Sequence, residues 1–164
     1  MHSMNGIEKT YSGIMNSSTR PRVYISVITQ RAVIERAQGR CEYCQSHADY
    51  TTKSFAVEHI MPVSRGGTSE LDNLAFSCSG CNGHKYNRTE APDLTDRTLV
   101  PLYNPRRQRW QDHFCWSDDH AQLVGLTPTG RATVEALKMN RTGLANMRQV
   151  LYLIGKHPPQ LSEE

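Results

Sequence analysis

Four of the five cysteines fall in two pairs of identical spacing, "CEYC" at Cys41 and Cys44 and "CSGC" at Cys78 and Cys81. A two-residue spacer lets a tight turn aim both thiolates at one ion, and two such turns complete the tetrahedron that Zn²⁺ prefers. Residues 45–77 separate the pairs, far more than a simple zinc ribbon needs, so the chain must leave the ion and return to it. Two disulfides are the competing use, but they belong to oxidising compartments. The opening "MHSMNGIEKTYSGIMNSSTR" has neither the basic start nor the continuous apolar stretch of a secretory signal. The expectation is therefore a cytoplasmic protein with structural Zn²⁺ on Cys41, Cys44, Cys78 and Cys81. No apolar run is long enough to cross a bilayer, which excludes a helical membrane span. Cys115, in "HFCW", has no partner and reads as a small buried hydrophobe.

With 164 residues, 37% of them apolar, the chain suits a single core. Its net charge of +3 is weak evidence for a nucleic-acid partner. The placement of the cations says more. "NPRRQRW" sets Arg106, Arg107 and Arg109 beside Trp110, and Lys85 and Arg88 follow the second cysteine pair. They are candidate phosphate contacts, with a solvated basic turn as the alternative for the arginine cluster. Because a zinc ion only half neutralises four thiolates, such patches rather than net charge would have to attract a polyanion.

Periodicity and stop signals predict a helix from Val27 to Gln38, ended by Gly39, with Val27, Ile34 and Ala37 on one face. "SFAVEHI" and "LAFSC" read as short strands joined by a Gly-rich loop and the turn "SELDN". A helix follows from Ser79, its candidate N-cap. Beyond Pro92 a loop-rich extension leads to a hairpin in "HFCWSDDHAQLVGL". Thr127 as N-cap with Pro128 behind it starts a helix to about Met139. Asn140 can cap a last helix whose Leu144, Met147, Leu151 and Ile154 stripe suits core packing. The organisation expected is a loose tail over 1–22, a zinc-stapled core over 23–92, an extension over 93–157 and a tail over 158–164.

The insert carries the chemistry. In "FAVEHIMPVSRGG" an apolar strand ends on Glu58 and His59, and Asn82 directly follows the last cysteine. Phosphodiester hydrolysis needs a hard cation on oxygen ligands and a base for water. Glu58 and Asn82 offer oxygens for Mg²⁺ or Mn²⁺, and His59, with an ordinary pKa near 6.5, is a suitable base. Neighbours on a regular strand point to opposite faces, so Glu58 and His59 share one site only if the strand twists or ends there.

Taken in order, "VEHIMPVSRGG", "LDNL" and "CSGCNGHK" between two knuckles resemble the HNH endonuclease family over Cys41 to about Arg88. The later "VPLYNPRRQRWQDHF" and "GLTPTGRATVEALKMN" look like those of small free-standing bacterial HNH proteins. The resemblance implies an α+β fold with a ββα-metal core stapled by a four-cysteine zinc site, preceded by a helix and followed by a hairpin and helices. It implies metal-dependent cleavage of DNA to 5′-phosphate and 3′-hydroxyl ends, with Glu58, His59, Asn73 and Asn82 as the catalytic set. In it Asn73 orders the loop and steadies the base, and Asn82 stands where histidine is common. His84 should point away from the site, and His113 reads as a hydrogen-bonded structural histidine or else a contributor to it. The rival function is a non-catalytic, zinc-stabilised nucleic-acid-binding module, for which the cysteines and arginines alone would suffice.

Overall fold

A computed structural model describes residues 24–160. The expected tail over 1–22 and residues 161–164 lie outside the described residues. Helix α1 (Val27–Arg36) starts where the Ser26 hydroxyl accepts from the Thr29 amide at 3.0 Å. It stops where Gln38 and Gly39 take left-handed backbone at φ 50° and 68°. The expected inward face needs correction, because Val27 and Ile34 are exposed and Val33 is buried with Ala37. Residues four apart form a single row along a helix, and this row supplies the buried apolar contact of α1 with the strands below.

The strands β1 (Phe55–His59) and β2 (Leu74–Cys78) pair antiparallel, Phe55 opposite Cys78 and His59 opposite Leu74. Leu74 and Phe76 turn toward α1 and cluster with Val33 and Ala37. Ala75 and Ser77 alternate to the other face. That face is crossed by α2 (Ser79–Lys85), whose N-cap is Cys78 rather than Ser79, its sulfur accepting from the Cys81 amide at 3.4 Å. Thus β1, β2 and α2 form the ββα unit, and its helix begins inside the second knuckle.

The extension is more regular than its sequence suggests. It opens with a hairpin of β3 (Glu90–Pro92) and β4 (Leu99–Pro101), where only loop was expected. A short helix α3 (Trp110–His113) leads into the expected hairpin, β5 (Phe114–Trp116) with β6 (Leu123–Gly125). Thr127 caps α4 (Pro128–Ala136), which ends earlier than expected because Lys138 is left-handed at φ 50°. The last helix is α5 (Thr142–Leu153), with Arg141 as its N-cap. Asn140 does not cap it, for its amide turns to the Leu123 backbone, donating to the oxygen at 2.9 Å and accepting from the nitrogen at 2.8 Å, and its oxygen also accepts from Arg148 at 3.3 Å.

One apolar cluster joins the knuckles to this extension through Tyr43, Trp110, Phe114, Leu137 and Met139. The Trp110 indole donates to the Tyr43 carbonyl at 2.9 Å, and Arg148 of α5 donates to the Cys44 carbonyl at 3.4 Å. Of the expected α5 stripe, Leu144 and Leu151 are buried, Ile154 is exposed, and Arg148 lies inside with its guanidinium over the Trp116 ring. Asn140→Ala would leave two buried backbone groups unpaired. It should lower stability by about 1–3 kcal/mol, read as a drop in the urea midpoint at unchanged m-value.

Candidate active site and zinc centre

The sulfurs of Cys41, Cys44, Cys78 and Cys81 are buried and lie within 4.8 Å of one another. Cys44 and Cys78 approach to 3.8 Å, well beyond a disulfide bond, and all four thiols are free. Four converging buried sulfurs fit Zn²⁺. Outer hydrogen bonds surround them, with the Ser46 hydroxyl 3.1 Å from Cys44 and Arg141 donating to Cys78 at 3.3 Å. The arginine explains a glycine: a Cβ on Gly80 would lie 2.3 Å from the Arg141 guanidinium.

At the exit of β1 the chain turns at Pro62 into a single 3₁₀ turn ended by Gly66 at φ 85°. Asn73 staples this loop. Its oxygen accepts from the Met61 amide at 2.8 Å, and its nitrogen donates to the Met61 and Thr68 carbonyls at 2.9 and 2.8 Å. A Cβ on Gly67 would sit 1.8 Å from the Met61 oxygen, so only glycine fits beneath the staple. The loop brings Ser69 within 2.9 Å of His59 Nε2. Burial, and then the positive charge of Lys85, push the His59 pKa below the ordinary imidazole value. Its neutral form therefore prevails at pH 7.

Glu58 and His59 do not converge. The strand stays regular and paired through both, so Glu58 faces α2 while His59 shares the α1 side with Leu74. Glu58 is buried, with Lys85 Nζ at 2.8 Å from one carboxylate oxygen and the Tyr43 hydroxyl donating to the other. Lys85 also donates to the His59 carbonyl at 2.8 Å. Burial raises the Glu58 pKa, while the Lys85 charge and both hydrogen bonds oppose the rise. With both oxygens engaged, this carboxylate does not fit a catalytic Mg²⁺ or Mn²⁺ as arranged. Lys85, expected to meet phosphate, is 2% exposed and serves Glu58 instead.

Asn82 lines a separate groove of about 400 Å³ at the start of β1, with Ser54, Ala56 and Tyr86. A second groove, of about 550 Å³, carries Asn73, Arg88, Asn104 and Arg107. Arg65, which composition did not single out, borders it by donating to Thr89 at 2.9 Å. The expected arginine cluster divides. Arg107 faces this groove, Arg109 is exposed on another side, and Arg106 pairs with Glu42, which Arg36 also approaches at 3.7 Å. His84 is exposed. His113 Nδ1 lies 2.6 Å from the Thr127 hydroxyl, the same hydroxyl that caps α4, and its ring packs on Tyr103. A histidine so placed is structural.

Residues 41–88 match the family model described as HNH endonuclease. That segment is an HNH domain. The Septu protein PtuB of Bacillus thuringiensis is 27% identical over 117 residues, covering 67% of this chain and 40% of that protein. The chain thus spans less than half the length of that relative. No solved structure gives a significant match. Among the described residues no helix is long and apolar enough to cross a membrane.

Two outcomes follow for the HNH domain. Stripping the thiolates with a strong chelator at neutral pH should unfold the knuckles, seen as loss of far-UV ellipticity that added Zn²⁺ restores. Lys85→Met should cost about 3–5 kcal/mol by urea denaturation, since it leaves Glu58 buried without its cation. The sign with pH is set by Glu58: a carboxyl whose folded pKa is raised stabilises while protonated, so the variant should lose stability as pH rises through that pKa. Glu58→Gln with Lys85→Met should recover most of the loss and flatten the pH dependence.

Proposed function

We propose that this protein is an endonuclease that hydrolyses phosphodiester bonds in DNA, with His59 as the general base. The observation that carries the reading is the position of His59 at the end of β1, 2.9 Å from Ser69 of the loop that Asn73 staples, within a segment that matches the HNH endonuclease family. Neutral imidazole accepts a proton as a water oxygen bonds to phosphorus and the bond from phosphorus to the 3′ oxygen breaks. The products are 5′-phosphate and 3′-hydroxyl ends, the leaving oxygen taking its proton from solvent. Arg65, Arg88 and Arg107 supply fixed positive charge along the groove that Asn73 lines, which suits a phosphate backbone. Catalysis that depends on Mg²⁺ or Mn²⁺ at Glu58 and Asn82 would require Lys85 to release the carboxylate.

The engaged state of Glu58 favours one other reading, a zinc-stabilised module that binds nucleic acid without cutting it. Supercoiled plasmid incubated with the purified protein in Mg²⁺ or Mn²⁺ separates the two. Nicking that falls about 10²- to 10⁴-fold in His59→Ala supports the nuclease. Salt-sensitive binding with no nicking in either metal, or full activity in the variant, supports the binder. If His59 is the base, single-turnover cleavage should rise with pH about a midpoint below that of an unperturbed imidazole, about pH 6.5. A rise centred above it would remove His59 from that role.

A further inference from the structure

Between the first knuckle and α5 lies a cavity of about 600 Å³, lined by neither His59 nor Asn73 nor Asn82. Five fixed cations line it, Arg40, Lys53, Arg141, Arg148 and Lys156, against a single carboxylate, Asp49. Two of the five have duties nearby: Arg141 donates to the Cys78 sulfur and Arg148 to the Cys44 carbonyl. Four thiolates on one divalent ion leave about two negative charges, which these two arginines offset. Arg40, Lys53 and Lys156 have no acid partner among the described residues. Asp49 points outward, its side chain 79% exposed. A surplus of about two positive charges therefore faces the cavity, the complement of a phosphate monoester.

The rest of the lining has a different chemistry. Leu144, Met147 and Leu151 of α5 form an apolar wall, and the rings of His47 and Tyr50 lie 5.3 Å apart at the same site. An inorganic anion has no use for that wall or for an aromatic pair. A nucleobase does, since stacking on aromatic and apolar surface is worth about 1–3 kcal/mol per base. The volume also falls within the range of small-molecule sites, about 300–1,000 Å³. We propose that this cavity is a nucleotide-binding site, taking a 5′-phosphate on Arg40, Lys53 and Lys156 and the base against His47, Tyr50 and the α5 wall. The 5′-nucleotide is either a free monophosphate or the end of a strand.

Titration calorimetry of the zinc-loaded protein with adenosine 5′-monophosphate, adenosine, inorganic phosphate, and an oligothymidylate with or without a 5′-phosphate tests the proposal. The result expected is binding of the monophosphate, or of the 5′-phosphorylated strand over its 5′-hydroxyl twin, tighter than either adenosine or phosphate alone. Which of the two binds identifies the source. Arg40→Gln with Lys156→Glu should weaken that binding about tenfold or more. Neither side chain bonds elsewhere among the described residues, so the variant should keep the parent's melting temperature. Tyr50→Ala should weaken the monophosphate and leave inorganic phosphate unchanged. The proposal is overturned by no binding of either phosphorylated probe below about 1 mM. Equal affinity for phosphorylated and hydroxyl strands when the monophosphate does not bind, or affinity unchanged in the charge variant, overturns it as well. All readouts are binding, so the outcome is independent of whether His59 cleaves DNA.

Discussion

Convergence of four buried cysteine sulfurs within 4.8 Å is the constraint on which the rest of the chain depends. Each knuckle ends a different element: the first follows α1, and the second is at once the end of β2 and the cap of α2. Their convergence closes the insert into a loop, within which β1 runs antiparallel to β2 and returns the chain to Cys78. The same point anchors the extension, since Trp110, Arg141 and Arg148 all bond to a knuckle residue. An ion held there would add its binding free energy directly to folding, because the site is absent from the unfolded chain.

The buried triad of Glu58, Lys85 and Tyr43 is the second junction. Removing a carboxylate and an ammonium from water is costly, and the loss is offset only when every polar atom finds a partner. Here Lys85 serves both the carboxylate and the His59 carbonyl, tying the C-terminal end of α2 to the end of β1. The pair thus sets the height of α2 over the strands and, through the Lys85 charge, helps keep His59 neutral. An acid beside a histidine can support that histidine without facing it.

Elements with a strong local signal were legible in the sequence: both knuckles, β1 and β2, the Thr127-Pro128 start of α4, and the β5–β6 hairpin. What was not legible depends on partners distant in sequence. Asn140 has the chemistry of a cap, but the Leu123 backbone, 17 residues away, claims its amide. Arg106 looks like part of a basic cluster until Glu42 takes it. The β3–β4 hairpin has three residues per strand, one of them proline in each, and so lacks alternation long enough to read. Of the α1 face, only Ala37 was placed inward correctly, because a helix resting on one row of contacts offers no wide apolar stripe to detect.

At the site the same reasoning separates what motif order can tell from what it cannot. Order and spacing place Glu58, His59, Asn73 and Asn82 in one small unit, but not the direction in which each side chain points. Strand alternation already opposed a shared face for Glu58 and His59, and the regular pairing of β1 through both leaves that objection standing. Asn73 shows the opposite case: one amide making three backbone bonds defines the loop that carries Ser69 to His59. The groove and the imidazole therefore share a single structural support. A change at Asn73 would disturb phosphate binding and base positioning together, whereas a change at Arg107 would touch the groove alone.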